Sequence, residues 1–125
     1  MSSVVIKSVD EARVRKAMDD YAQRLLAARS EIEEIVVFGS FVRGDFAPGS
    51  DLDVFLLLTH SEKRVRDRVP DYLPRTFPVP LDLFPFTRED ITALGPSPIL
   101  DAVRDSKWRY VRGVRGTSLG PPPAS

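Results

Sequence analysis

The run from Asp51 to Leu58 constrains the fold most, because it is nearly all apolar over the length of one β-strand. Strands of this kind are usually buried on both faces, which requires helices packed over both sides of the sheet. The run therefore predicts an α/β (α+β) fold, a small mixed β-sheet with flanking helices. Asp53 is the exception inside the run, and a charge at such a position needs a partner.

Further elements are predicted from periodicity and from end signals on either side of this strand. The expected additional strands are 35–38, 81–84 and 108–111. The expected helices are an amphipathic one over roughly 9–29, a charged one over 61–69 ended by Pro70, one beginning near Thr87, and one from Pro98 to about Asp105. Alternating strands and helices of this length are typical of a layered domain.

One domain accounts for the chain, which has 125 residues. We place it at 1–112 and expect the Gly/Pro/Ser-rich tail at 113–125 to be disordered. The 18 basic and 18 acidic residues cancel, so overall charge does not indicate a nucleic-acid binder, although local basic runs leave one open. No apolar run is long enough to span a membrane and no cysteine is present, so we expect a cytoplasmic protein.

Two carboxylates mark the start of the apolar strand. Side chains alternate along a strand, so Asp51 and Asp53 project from one face about 7 Å apart. Carboxylates so placed repel each other and are costly to desolvate, and a bound cation removes both costs. Oxygen ligands suit Mg²⁺, which completes its shell with water and substrate phosphates.

A glycine and a serine follow the preceding strand. Gly39 allows the backbone to approach a ligand closely, and consecutive amides at such a turn form an anion-binding concavity to which the Ser40 hydroxyl adds a donor. We assign nucleotide binding to Gly39, Ser40, Arg43 and Ser50. Arg43 is equally well explained as a phosphate contact or as a surface residue.

The pattern of Gly39-Ser40, ten intervening residues and Asp51-x-Asp53 resembles the DNA polymerase β nucleotidyltransferase superfamily. It is most similar to the minimal nucleotidyltransferases that act as antitoxin partners of HEPN-type toxins, over roughly residues 9–112. Val42 departs from the alanine that many relatives carry there. The resemblance implies a third carboxylate on a neighbouring strand, a position that Asp82 fits, although an edge-strand aspartate facing water would explain Asp82 as well.

The resemblance also implies a function. Asp51, Asp53 and Asp82 would be the catalytic and metal-binding residues, with two Mg²⁺ ions expected and ATP as substrate. AMP would pass to a hydroxyl of a partner protein, a HEPN-type toxin, which makes this chain the antitoxin. Two alternatives remain open: an antitoxin that acts by occlusion without catalysis, and a nucleotidyltransferase for a small molecule such as an aminoglycoside.

Overall fold

The structure is a computed structural model that describes residues 11–45, 47 and 49–112. The first two positions of the expected amino-terminal helix and the expected tail at 113–125 lie outside these residues. The helices are α1 (Glu11–Ala28), α2 (Ser40–Arg43), α3 (Val65–Tyr72), α4 (Arg88–Leu94) and α5 (Pro98–Asp105). The strands are β1 (Ile32–Phe38), β2 (Leu52–Leu58), β3 (Leu81–Thr87) and β4 (Trp108–Val111).

The four strands form one mixed sheet in the order β3-β2-β1-β4. β1 is antiparallel to both β2 and β4, whereas β2 and β3 are parallel. The chain between β2 and β3 carries α3, as a parallel connection requires. The predicted fold class, a small mixed sheet with flanking helices, is confirmed.

β2 is buried on both faces, as its apolar run predicts. Leu52, Val54 and Leu56 point into a core shared with α1 and α3 on the first face of the sheet. Phe55 points the other way, into a second and smaller core that α5 closes with Val103. Asp53 lies on this second face, because it is two positions from Phe55.

The helix expected at 61–69 differs at both ends. α3 begins at Val65 and continues through Pro70 to Tyr72, so the prediction that Pro70 ends the helix is wrong. Tyr72 is buried, and its hydroxyl donates to a Glu31 carboxylate oxygen at 2.6 Å. Burial of Tyr72 and Arg68 in the tertiary structure outweighs the hydrogen bond that a proline removes from the helix.

The later helix starts are confirmed. Thr87 caps α4 with a capping box in which its hydroxyl accepts from the Asp90 amide at 3.1 Å. Ser97 caps α5 in front of Pro98, accepting from the Leu100 amide at 3.1 Å. In the described ranges, no helix has the length and apolar character needed to cross a membrane.

Candidate active site

The termini of three neighbouring strands lie at the same end of the sheet. β1 ends there at Phe38, and its neighbours β2 and β3 begin there at Leu52 and Leu81. In the register of the sheet Phe38 lies opposite Asp53, and Asp53 lies opposite Asp82. The topology therefore brings Gly39 and Ser40, which follow β1, next to the beginnings of β2 and β3. These two strands carry Asp53 and Asp82.

Asp53 and Asp82 project from the same face, because they are direct neighbours in a parallel pair whose strands lie about 4.8 Å apart. Burial, followed by the negative charges of Asp82 and Asp51, raises the pKa of Asp53 to about 6, against a lowering by Arg43. Partial burial and the charge of Asp51 also raise the pKa of Asp82. The three aspartates are thus electrostatically coupled in the folded chain.

Gly39 fits against one of these carboxylates. Its φ is +89°, a conformation that L side chains rarely adopt, and a Cβ built on it would collide with Oδ2 of Asp53. Only glycine allows the β1 end and the Asp53 carboxylate to approach this closely. Gly39, which the sequence assigns to phosphate binding, therefore also limits the positions that the Asp53 carboxylate can take.

Ser40 follows as the first residue of α2. The Gly39 carbonyl accepts from the amides of Val42 and Arg43, both at 3.0 Å, which closes the single turn of this helix. Phe41 is buried and anchors the turn to the core under α1. The half-buried Ser40 is held directly beside Gly39, at the edge where the carboxylates lie.

The other two assigned nucleotide-binding residues have partners within the loop. The Ser50 hydroxyl accepts from the Ala47 amide at 2.8 Å and so stabilises the turn before β2. Arg43 is exposed, and its Nε lies 3.3 Å from Asp45 Oδ2. Its charge lowers the pKa of Asp53, so the guanidinium acts on the site electrostatically.

The donor set fits a divalent cation of the Mg²⁺ type. All three groups are carboxylates, and their mutual repulsion is the feature a cation relieves. Within the described part of the chain, no three acidic or histidine side chains lie close enough together to hold a metal ion by themselves. An open arrangement suits Mg²⁺, which commonly takes one or two carboxylates and completes its shell with waters and substrate phosphates.

An aromatic pair on the face that carries Asp53 and Asp82 was not predicted from the sequence. Phe84 is two positions from Asp82 on the same face, and its ring lies 5.4 Å from that of Phe38. Phe38 is buried, whereas Phe84 remains half-exposed. The spacing of two positions between Asp82 and Phe84 was the sequence signal that could have predicted a shared face.

Two arginines of the local basic runs, Arg68 and Arg109, are held within the fold. Arg68 is buried and donates to the Pro85 carbonyl at 2.8 Å and to Asp90 Oδ2 at 2.6 Å. Arg109 pairs with Glu34 at 2.6 Å. These guanidinium groups connect elements of the fold.

Comparison with known proteins places this geometry in a family. Residues 16–108 match the family described as nucleotidyltransferase domain. The chain belongs to this nucleotidyltransferase family. The match runs from α1 to the first residue of β4 and includes Gly39, Ser40 and all three aspartates.

A solved structure supports the nucleotidyltransferase fold. The chain is similar to a Sulfolobus solfataricus protein that has been proposed to be a nucleotidyltransferase, with a TM-score of 0.56 and 21% identity. The similarity covers 82% of this chain and 84% of that one, and at this identity it establishes the fold. No curated protein matches the sequence significantly.

Proposed function

We propose that this nucleotidyltransferase transfers AMP from ATP to a hydroxyl of a partner protein in a Mg²⁺-dependent reaction. The observation that carries the proposal is the pairing of Asp53 with Asp82 on one face of the sheet, beside a Gly39 that leaves no room for a side chain. Repelling carboxylates are expensive to keep together, and a substrate-linked cation accounts for them.

The residues have distinct proposed roles. Gly39 and Ser40 bind the triphosphate, with the backbone amides at the start of α2 facing its oxygens. Asp51 and Asp53 hold the cation that accompanies the phosphates, and Asp82 completes the second of two ion positions. When bound, Mg²⁺ neutralises charge on the phosphates and makes the α-phosphorus more electrophilic.

The order of the strands suggests where the acceptor enters. Ser40 follows β1, Asp53 is on β2 and Asp82 is on β3, the edge strand. The acceptor hydroxyl therefore approaches from the β3 side, where Asp82 can receive its proton. The hydroxyl oxygen forms a bond to the α-phosphorus, the bond from that phosphorus to the bridging oxygen of the β-phosphate breaks, and pyrophosphate leaves.

The biological role that we propose is that of an antitoxin whose acceptor is a HEPN-type toxin. The described residues form one sheet with its covering helices, and the inward faces of these elements form the two cores. We therefore propose that a partner protein supplies the surface that presents the acceptor hydroxyl.

The test is a transfer assay with ATP, Mg²⁺ and the protein encoded next to this one, read by intact mass. A mass increase of one AMP on the partner is expected with the wild type and with Asp105→Asn, a control at an exposed aspartate at the end of α5. No increase is expected with Asp53→Asn. Full neutralisation of the partner by Asp51→Asn, without AMP transfer, would overturn catalysis in favour of occlusion.

A further inference from the structure

A basic groove runs along α1, the helix that covers the face of the sheet opposite Asp53 and Asp82. Two adjoining cavities of about 360 and 330 Å³ share Arg24 and Thr76 and form a continuous depression between α1 and the segment that precedes β3. Four arginines line it, against two aspartates: Arg13, Arg24, Arg29 and Arg75, with Asp20 and Asp71. The whole protein carries no net charge, so this excess is local.

The two aspartates of the groove are already paired with lysines that do not line it. Lys63 Nζ lies 2.7 Å from Asp71 Oδ2, and Lys16 Nζ lies 3.4 Å from Asp20 Oδ2. Among the ion pairs of the described residues, none involves Arg24 or Arg75, and both side chains are exposed. The positive charges of Arg24 and Arg75 are therefore not neutralised by an ion pair among the described residues.

Arg29 is held in place at one end. Its Nη2 donates to the Asp71 carbonyl at 2.8 Å, and its guanidinium carbon lies 5.3 Å from the centre of the Tyr72 ring. A guanidinium fixed in this way needs little further ordering when an anion binds. Next to it the groove has an apolar part, where Leu73 is 48% exposed and Pro74 is half-buried.

We infer that this groove docks an acidic segment of a partner protein, with carboxylates on the arginines and an apolar side chain on Leu73. Charge complementarity favours an anionic occupant, and the apolar part favours a peptide. Single-stranded RNA binds through bases stacked on aromatic rings. The tyrosine rings of the groove, Tyr21 and Tyr72, are buried, and both hydroxyls are hydrogen-bonded within the fold. The half-buried Phe77 ring packs against the Tyr21 ring in a T-shaped contact at 5.9 Å, so the groove does not offer successive exposed rings for stacking bases.

The test uses the whole chain and a fluorescein-labelled peptide of glutamate and leucine, read by anisotropy. Arg24→Glu combined with Arg75→Glu is expected to weaken binding by about tenfold or more, because each change reverses a charge in the groove. The matched control is Arg64→Glu combined with Arg66→Glu, which makes the same change of net charge at exposed arginines outside the groove. It is expected to change affinity by no more than about twofold, the size of a weak surface effect.

Three results would overturn the inference. The first is that the acidic peptide does not bind. The second is that both double variants lose the same amount of affinity for the peptide. The third is that a fluorescein-labelled single-stranded RNA binds more tightly than the peptide and depends on Arg24 and Arg75. A lysine and leucine peptide is expected not to bind. ATP and Mg²⁺ are absent from this measurement, so its outcome is separate from that of the AMP-transfer assay.

Discussion

Asp53 and Asp82 face each other across the parallel pair of β2 and β3, and Oδ2 of Asp53 occupies the space that a side chain at position 39 would need. The fold therefore keeps the carboxylates of Asp53 and Asp82 together at the end of the sheet where β1 terminates.

The Asp53 carboxylate destabilises the folded chain. Burial, then Asp82 and Asp51, raise its pKa from 3.8 to about 6, so the folded state binds the proton more tightly than the unfolded state does. The destabilisation is complete above pH 6 and disappears as the pH falls from about 6 toward 4. Asp53→Asn should thus raise the free energy of unfolding by on the order of 1 kcal/mol at neutral pH, after allowing for solvent screening.

Urea unfolding of the wild type and of Asp53→Asn across this pH range measures the effect. The difference in unfolding free energy should be largest at neutral pH and should shrink on acidification. A difference that is independent of pH would show that the charge of Asp53 is not its source.

Gly39→Ala should disrupt the site more than it unfolds the chain. With φ of +89° and ψ of −152°, Gly39 has a backbone conformation that is essentially restricted to glycine and costs about 1–3 kcal/mol for an L residue, and the methyl group must also displace the Asp53 carboxylate. Gly95→Ala is the matched control, because Gly95 has a φ of +74° and nothing within 4 Å of an added Cβ. AMP transfer should be lost with Gly39→Ala and retained with Gly95→Ala, and equal activity of the two variants would contradict the assigned contact.

The buried Arg68 side chain should contribute strongly to the free energy of unfolding. Its guanidinium connects α3 to the Pro85 carbonyl of β3 and to Asp90 at the start of α4. Arg68→Met leaves the Asp90 carboxylate without its cationic partner and should cost about 3 kcal/mol in thermal or urea unfolding. Arg104→Met removes an exposed pair with Asp101 and should cost less than about 0.5 kcal/mol. Similar costs for both variants would contradict the burial of Arg68.

Much of the fold could be predicted from local pattern. The apolar run of β2 predicts burial on both sides, and Ser97-Pro98 marks the start of α5. Strand β1, however, begins at Ile32, earlier than predicted, through Glu33 and Glu34. Two charged residues in succession argue against a strand, but each pairs with an arginine that is distant in sequence, at 2.7 Å to Arg88 and 2.6 Å to Arg109.

The extent of β3 and the position of Asp82 depended on the same kind of long-range information. β3 continues through Pro85, which an edge strand tolerates because no neighbour needs the missing amide. The sequence suggested Asp82 as a third carboxylate. Its register against Asp53 is set by the parallel crossover through α3, which local pattern does not specify.

The account depends on the three aspartates holding a divalent cation together with a nucleotide, and Mn²⁺ binding measures this most directly. Mn²⁺ can be titrated in the presence of a non-transferable ATP analogue and followed by electron paramagnetic resonance, for the wild type, Asp53→Asn, Asp82→Asn and Asp105→Asn. Nucleotide-dependent binding should be present in the wild type and Asp105→Asn, and weakened by about tenfold or more in the other two variants. Equal Mn²⁺ affinity in all four proteins would contradict the central claim.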